Sequence, residues 1–203
     1  MTEPDGPYLL GITGNIACGK SLVSSILAEL GAEVIDADHV VHELMQPGSE
    51  ILQEIARRFG DDVLNPDGSL NRPRLGEIVF GDSAALADLE QITHSPAVQT
   101  ILSRSQKSSA PVVVIDAIKL YESGLADHCQ QTWTVYCNPE VQRQRLMDRN
   151  NFSKAQAQQR IDAQPPQDEK KRRADVVIDN SSGIPETRAQ VMRAWEQIVP
   201  DKR

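Results

Sequence analysis

Aromatic side chains are scarce, at 4% of 203 residues, so the core must be built mainly from aliphatic ones. Cysteine is scarcer still. Cys18, Cys129 and Cys137 are odd in number and scattered, with no zinc-site or redox spacing. They read as reduced thiols of a cytoplasmic protein. No apolar run approaches about 18 residues, so no membrane span is expected. Basic charge is in deficit: 21 Lys and Arg stand against 29 Asp and Glu, a net charge of -8. A general nucleic-acid binder is usually basic, so no nucleic-acid partner is expected. A local basic pocket for a phosphorylated small molecule remains compatible with that balance. Residues 1–7 lack the basic-then-apolar pattern of a signal and are expected to fray. There is no Asn-Lys-x-Asp guanine motif, no internal repeat and no low-complexity tract. A chain of this length suits one large domain, or one domain with insertions. Nothing in it points to a particular oligomeric state.

What is present is a phosphate-cradling pattern. Gly14-Asn15-Ile16-Ala17-Cys18-Gly19-Lys20-Ser21 fits G-x-x-x-x-G-K-[ST]. The preceding Tyr8-Leu9-Leu10-Gly11-Ile12-Thr13 reads as a short buried strand. After the loop, apolar residues at 22, 23, 26, 27 and 30 fall on one face of a helix, which Gly31 stops. A turn of inward-pointing amides followed by a helix N-terminus is an anion site. Gly14 and Gly19 permit positive φ or close backbone approach. Lys20 can reach the β- and γ-phosphates of ATP, and the Ser21 hydroxyl can ligate Mg²⁺. Cys18, beside the helix start, is either a thiol of lowered pKa or a small filler.

Val34 and Ile35 make a second strand ending in Asp36-Ala37-Asp38. Ligands of open α/β sheets bind beyond the carboxyl ends of strands. If the chain stays extended, both carboxylates share a face. Either could take a proton from a hydroxyl or hold a water on Mg²⁺, or one could cap the helix that follows. His42 lies one helical turn beyond. Helices are expected over 49–60, 72–80 and 83–105, with a turn at Asn65-Pro66-Asp67-Gly68. The span 39–108 therefore reads as a helical insertion, a natural place for a substrate pocket.

Val112-Val113-Val114-Ile115 is a central parallel strand by its β-branched run, and Asp116 ends it at the ligand edge. The absence of a following Glu favours phosphate transfer over hydrolysis. Residues 132–137 form the next strand, followed by a helix to about Arg149 that carries Arg145 and Arg149 on one face. Asn150-Asn151 breaks it. A capping box at Ser153 and Gln156 starts another helix, with Arg160 and Gln164 on one face and Pro165-Pro166 as its end. These two helices read as a lid or as a solvated hairpin, and residues 170–173 as a solvated face. Residues 174–180 are a fifth strand. A final helix places Val191, Met192, Trp195, Ile198 and Val199 on one side.

From Tyr8 to Trp195 the chain resembles the dephospho-coenzyme A kinase family. The matches are the phosphate loop, Val34-Ile35-Asp36-Ala37-Asp38, Asp67-Gly68-Ser69-Leu70-Asn71-Arg72, Leu75 and Val79-Phe80, and Leu89 to His94. Gln142, Arg145, Arg149, Gln164 and the Ala174-Asp175 to Asp179-Asn180 run complete them. The resemblance implies an α/β P-loop kinase fold: a parallel five-stranded sheet in order 2-3-1-4-5, flanked by helices. It implies one domain over 8–203, with core 8–38, 109–138 and 174–203, a CoA-binding insertion 39–108 and a lid 139–173. It implies transfer of the ATP γ-phosphate to the ribose 3′-hydroxyl of dephospho-CoA. Gly14, Asn15, Ile16, Ala17, Cys18, Gly19, Lys20, Ser21 and Leu22 would bind the ATP phosphates, and the loop after Asn180 the adenine. Asp38 would be the base, with Lys20, Arg145 and Arg149 stabilising charge. Asp36, Asp38, His42 and Arg72 are the candidate acceptor contacts, with Lys119 a further candidate outside the family pattern, and Ser21 would hold the Mg²⁺. This chain differs from the usual pattern at Asn15 and Ala17, which replace Gly, and at Cys18 and Leu22, which replace Ser or Thr. Lys119-Leu120-Tyr121 replaces Pro-Leu-Leu, and Ser95 separates His94 from Pro96. Lys119 is either a phosphate contact or a surface lysine. The competing readings are a kinase for another small hydroxyl compound, such as a nucleoside monophosphate, and an ATP-binding module without transfer activity.

Overall fold

The computed structural model describes residues 6–198. Within them a five-stranded parallel sheet has the order β2-β3-β1-β4-β5, as the family resemblance implies. Its strands are β1 (Tyr8–Thr13), β2 (Glu33–Asp36), β3 (Val112–Asp116), β4 (Gln131–Tyr136) and β5 (Val176–Asp179). Leu10 of β1 pairs with Val114 of β3 and with Gln131 of β4, so β1 is central. All five residues of β3 are buried. That explains its uninterrupted apolar run, since a central parallel strand is covered on both faces.

The chain divides into two compact units, Met1–Ile35 with Ser105–Arg203, and Asp36–Arg104. In the first, α1 (Lys20–Glu29) and α9 (Ile184–Ile198) cover the sheet. Val23, Ile26 and Leu27 of α1 and Val191 and Ala194 of α9 form a core with Leu10, Ile12, Val114, Trp133 and Ile178. Met192 does not join it and is 45% exposed, because the buried stripe of α9 runs through Thr187, Val191 and Ala194. Val199 lies outside the described residues, as do residues 1–5 of the tail. The first unit also carries α6 (Pro139–Asn150), α7 (Lys154–Asp162) and α8 (Gln167–Arg173).

The second unit holds α2 (Ala37–Leu44), α3 (Glu50–Phe59), α4 (Arg72–Phe80) and most of α5 (Ser83–Lys107). Its own core gathers Met45, Ile55, Ala56, Val63, Leu75, Val79 and Ala85. Ser49 caps α3 through the Leu52 amide, and Gly60 ends it at φ 96°. Phe80, at the end of the α4 apolar pattern, is not part of this core and is 85% exposed. Among the described residues, no helix is long and apolar enough to cross a membrane.

Candidate active site

The loop between β1 and α1 takes its shape from positions where a side chain would not fit or is conformationally costly. A Cβ on Gly14 would lie 2.6 Å from the Val135 carbonyl oxygen of β4. Gly19 is left-handed at φ 90° and immediately precedes α1. Ala17 is also left-handed, at φ 60°, where a Cβ is disfavoured. Among the described residues no side chain caps α1, so its first amides and the positive end of its dipole remain available to an anion.

Lys20 opens that helix, and its Nζ is ion-paired with Asp116 at the end of β3. Ser24, one turn along α1, donates to the other Asp116 oxygen at 2.7 Å. Asp116 is only 6% exposed, so Lys20 compensates a carboxylate that has lost its water. The sequence places Asp116 at the ligand edge but does not reveal this pairing. The available signal was a fully apolar strand ending in a single carboxylate. Ser21 is exposed, and Leu22 packs on the core.

The outer wall of the loop is made of amides from α6, α8 and the segment joining α7 to α8. Ile16 N–H donates to Gln164 Oε1, and the Ile16 carbonyl accepts from Gln142 Nε2, both at 2.8 Å. Asn15 Nδ2 donates to the Pro165 carbonyl at 2.7 Å. Gln167 Nε2 donates to Gln142 Oε1 and to the Cys137 carbonyl. Its Oε1 accepts from Cys18 Sγ at 3.0 Å. Gln164 thus sits beyond the end of α7, not on a face with Arg160, because α7 stops at Asp162. Asn180, 2% exposed, donates from Nδ2 to the Cys18 carbonyl at 2.8 Å and accepts from Thr187 Oγ1. Its side chain braces the loop. Gln167 went unnoticed in the sequence, where it reads as one more polar residue.

Cys18 is buried as filler, and its thiol is shifted up, first by the neighbouring Cys137 thiol and then by burial. The Cys18 thiol beside it pulls Cys137 down, helped by the Arg145 charge. Burial alone pushes Cys129 up to about 12. Lys170 departs from the solvated reading of 170–173: it is 4% exposed, and its Nζ donates to the Ile118 carbonyl at 2.6 Å. Burial lowers its pKa, helped by the Lys20 and Lys119 charges and opposed by Glu122.

Arg145 projects from α6 toward the loop, with Nη1 lying 3.6 Å from where a Cβ on Gly19 would stand. That nitrogen is buried and has no hydrogen-bond partner among the described residues. A buried charged donor without an acceptor is costly, and an anion on the loop would supply one. An uncapped helix start, a lysine and an orphaned guanidinium N–H together suit a polyphosphate. Arg149, one turn on, is exposed and donates to Asn150 Oδ1 at 3.0 Å.

In the second unit Asp36 caps α2, its Oδ1 accepting from the His39 amide at 3.0 Å. The chain turns helical at Ala37, so the extended geometry that would align Asp36 with Asp38 does not occur. Asp38 is exposed in the first turn of α2, and His42 is exposed in its last. Arg72 is exposed at the start of α4. Lys119, in the first unit, is exposed after β3. Among the described residues, no group of three or more His, Cys, Asp or Glu could hold a metal ion by itself.

The sequence model of the family described as dephospho-CoA kinase matches residues 8–186. The chain belongs to the dephospho-CoA kinase family. A dephospho-CoA kinase of Symbiobacterium thermophilum is 46% identical over 191 residues, which is 92% of this chain and 80% of the relative. The Thermus thermophilus protein TT1252 shares the fold at a TM-score of 0.83 and 28% identity, covering 97% of this chain and all of that one. The dephospho-CoA kinase of Campylobacter jejuni does so at 0.62 and 26% identity, covering 96% and 99%. The expected fold and family are borne out, and neither competing reading of function gains support.

Proposed function

We propose that the enzyme moves the γ-phosphate of ATP to the ribose 3′-hydroxyl of dephospho-CoA, giving CoA and ADP. The observation that carries this is the family match across residues 8–186, which takes in the phosphate loop and Asp38. The orphaned Arg145 Nη1 beside that loop supports it independently.

The loop from Gly14 to Leu22 holds the polyphosphate through backbone amides. Lys20 leaves Asp116 to meet the phosphate oxygens, and Arg145 and Arg149 add charge where it develops in the transition state. The Ser21 hydroxyl would hold Mg²⁺, which when bound would supply further charge neutralisation. Asp38 takes the proton of the attacking hydroxyl. Asp36, His42, Arg72 and Lys119 bind the acceptor. Asn180 contributes to ATP binding by keeping the loop in shape. Residues 39–108 serve as the acceptor-binding insertion and 139–173 as a lid that excludes water. The enzyme works in the cytoplasm.

An ADP-release assay across candidate acceptors tests the assignment. Dephospho-CoA should stimulate release well above nucleoside monophosphates. No stimulation by dephospho-CoA would overturn it.

A further inference from the structure

Two of the three cysteines meet at the phosphate loop. Cys18 lies within the loop and Cys137 follows β4, and both are buried, free thiols. Cys137 Sγ donates to the Ala17 carbonyl at 4.0 Å, so it reaches the peptide that joins Ala17 to Cys18. Cys18 Sγ donates to Gln167 Oε1 at 3.0 Å, and the same oxygen accepts from the Cys137 amide at 3.3 Å. Gln167 Nε2 donates to the Cys137 carbonyl at 3.1 Å. One side-chain amide therefore holds both residues. Cys129 is placed differently. It precedes β4 and its thiol donates to the Leu125 carbonyl. The six residues of β4 separate it from Cys137, a span of roughly 20 Å. A disulfide needs Cα atoms within about 7 Å.

Access to the pair runs past Gln167. That side chain is half-buried, and with Asn15, Gln142 and Gln164 it lines a cleft of about 420 Å³. Rotation of one glutamine opens the thiols to a molecule as small as hydrogen peroxide. The Arg145 charge beside Cys137 favours its thiolate, the form that attacks. A covalent tie at Cys18 would act where the loop is most constrained. Its neighbours on both sides are left-handed, Ala17 at φ 60° and Gly19 at φ 90°. Drawing the Cys18 side chain onto Cys137 turns the peptides on either side of it, whose amides belong to the anion cradle.

We propose that Cys18 and Cys137 are a modification site for hydroperoxides, joining in a reversible disulfide that closes the phosphate loop to ATP. The Cys137 thiolate attacks the O–O bond of hydrogen peroxide, forming a sulfenic acid and releasing hydroxide, which takes a proton to become water. The Cys18 sulfur then attacks the Cys137 sulfur. The S–S bond forms, the S–O bond breaks, and the departing oxygen leaves as a second water with the Cys18 proton. The thiol pair is oxidised by two electrons and the peroxide is reduced by two. A thiol reductant reverses the bond by exchange. The inference needs nucleotide binding by the loop and does not depend on which acceptor is used.

Hydrogen peroxide treatment of the full chain tests it. Peptide mapping without reductant should show the segments around Cys18 and Cys137 joined, lighter by the two thiol hydrogens, with Cys129 still a free thiol. Calorimetry should show MgATP binding weakened roughly tenfold or more, the loss of one amide contact to phosphate. Dithiothreitol should restore it, and MgATP bound beforehand should slow formation of the link. Cys137→Ala should bind MgATP as the unaltered chain does and keep that affinity through the treatment, whereas Cys129→Ser should lose it. Absence of the link from the map of the unaltered chain, or a link with unchanged MgATP affinity, overturns the proposal even if Cys137→Ala does not fold. Equal loss of affinity in a folded Cys137→Ala overturns it too. A reduced, unaltered chain that binds no MgATP overturns the nucleotide site itself, and this inference with it.

Discussion

Gly19 and Asn180 occupy adjoining space, so that a Cβ on Gly19 would overlap Asn180 Nδ2. The phosphate loop is shaped from outside as much as by its own glycines. Asn180→Ala would leave the buried Cys18 carbonyl and the Thr187 hydroxyl each short of a partner. The expected cost is on the order of 1–3 kcal/mol in denaturant unfolding, with a raised KM for ATP. Asn180→Asp should do worse, because it sets a carboxylate oxygen against the Cys18 carbonyl.

Ala17 offers the opposite case. At φ 60° it carries a Cβ where glycine would carry none. Ala17→Gly removes a penalty of about 1–2 kcal/mol, partly offset by the greater entropy of an unfolded glycine. A modest net stabilisation, up to about 1 kcal/mol, should appear in urea melts.

Lys20 has two roles that can be separated. Lys20→Met should lower turnover about a hundredfold or more, since it removes a charge that stabilises the transition state. It should also destabilise the fold by leaving the buried Asp116 carboxylate hydrogen-bonded to Ser24 but without the Lys20 charge. Adding Asp116→Asn should recover stability without recovering turnover. Unfolding and ADP release measured on the three variants check this.

Much of the architecture was legible because local signals agreed with the fold. The capping box at Ser153 and Gln156 forms as read, and Asn151 ends α6 in the left-handed region at φ 52°. The long helix expected over 83–105 runs Ser83–Lys107 despite Pro96 inside it. Sequence alone could not show which polar residues turn inward. Lys170 sits in a charged run and is nevertheless buried, because α8 directs it at the Ile118 carbonyl across a separation of 52 residues. Gln142, Gln164 and Gln167 converge on the loop for the same long-range reason. Phe80 closes the apolar pattern of α4, yet the buried part of that helix ends at Val79.

Lys170 also gives a pH signature. Burial lowers its pKa below the usual 10.5, so the folded chain sheds this proton before the unfolded chain does. Below the lowered pKa both states are charged and the burial cost is present in full. As pH rises from there toward 10.5 the folded state gains. The unaltered protein should therefore become more stable relative to Lys170→Met over that window. Urea midpoints of the pair across the alkaline range measure the difference.

The most direct test of the account is phosphorus NMR of the product formed from ATP and dephospho-CoA by the unaltered enzyme. The account predicts a new phosphomonoester on the ribose 3′-oxygen, appearing in step with ADP and absent when Asp38→Asn is used. A product phosphorylated elsewhere, or ADP formed without any new ester, would contradict it.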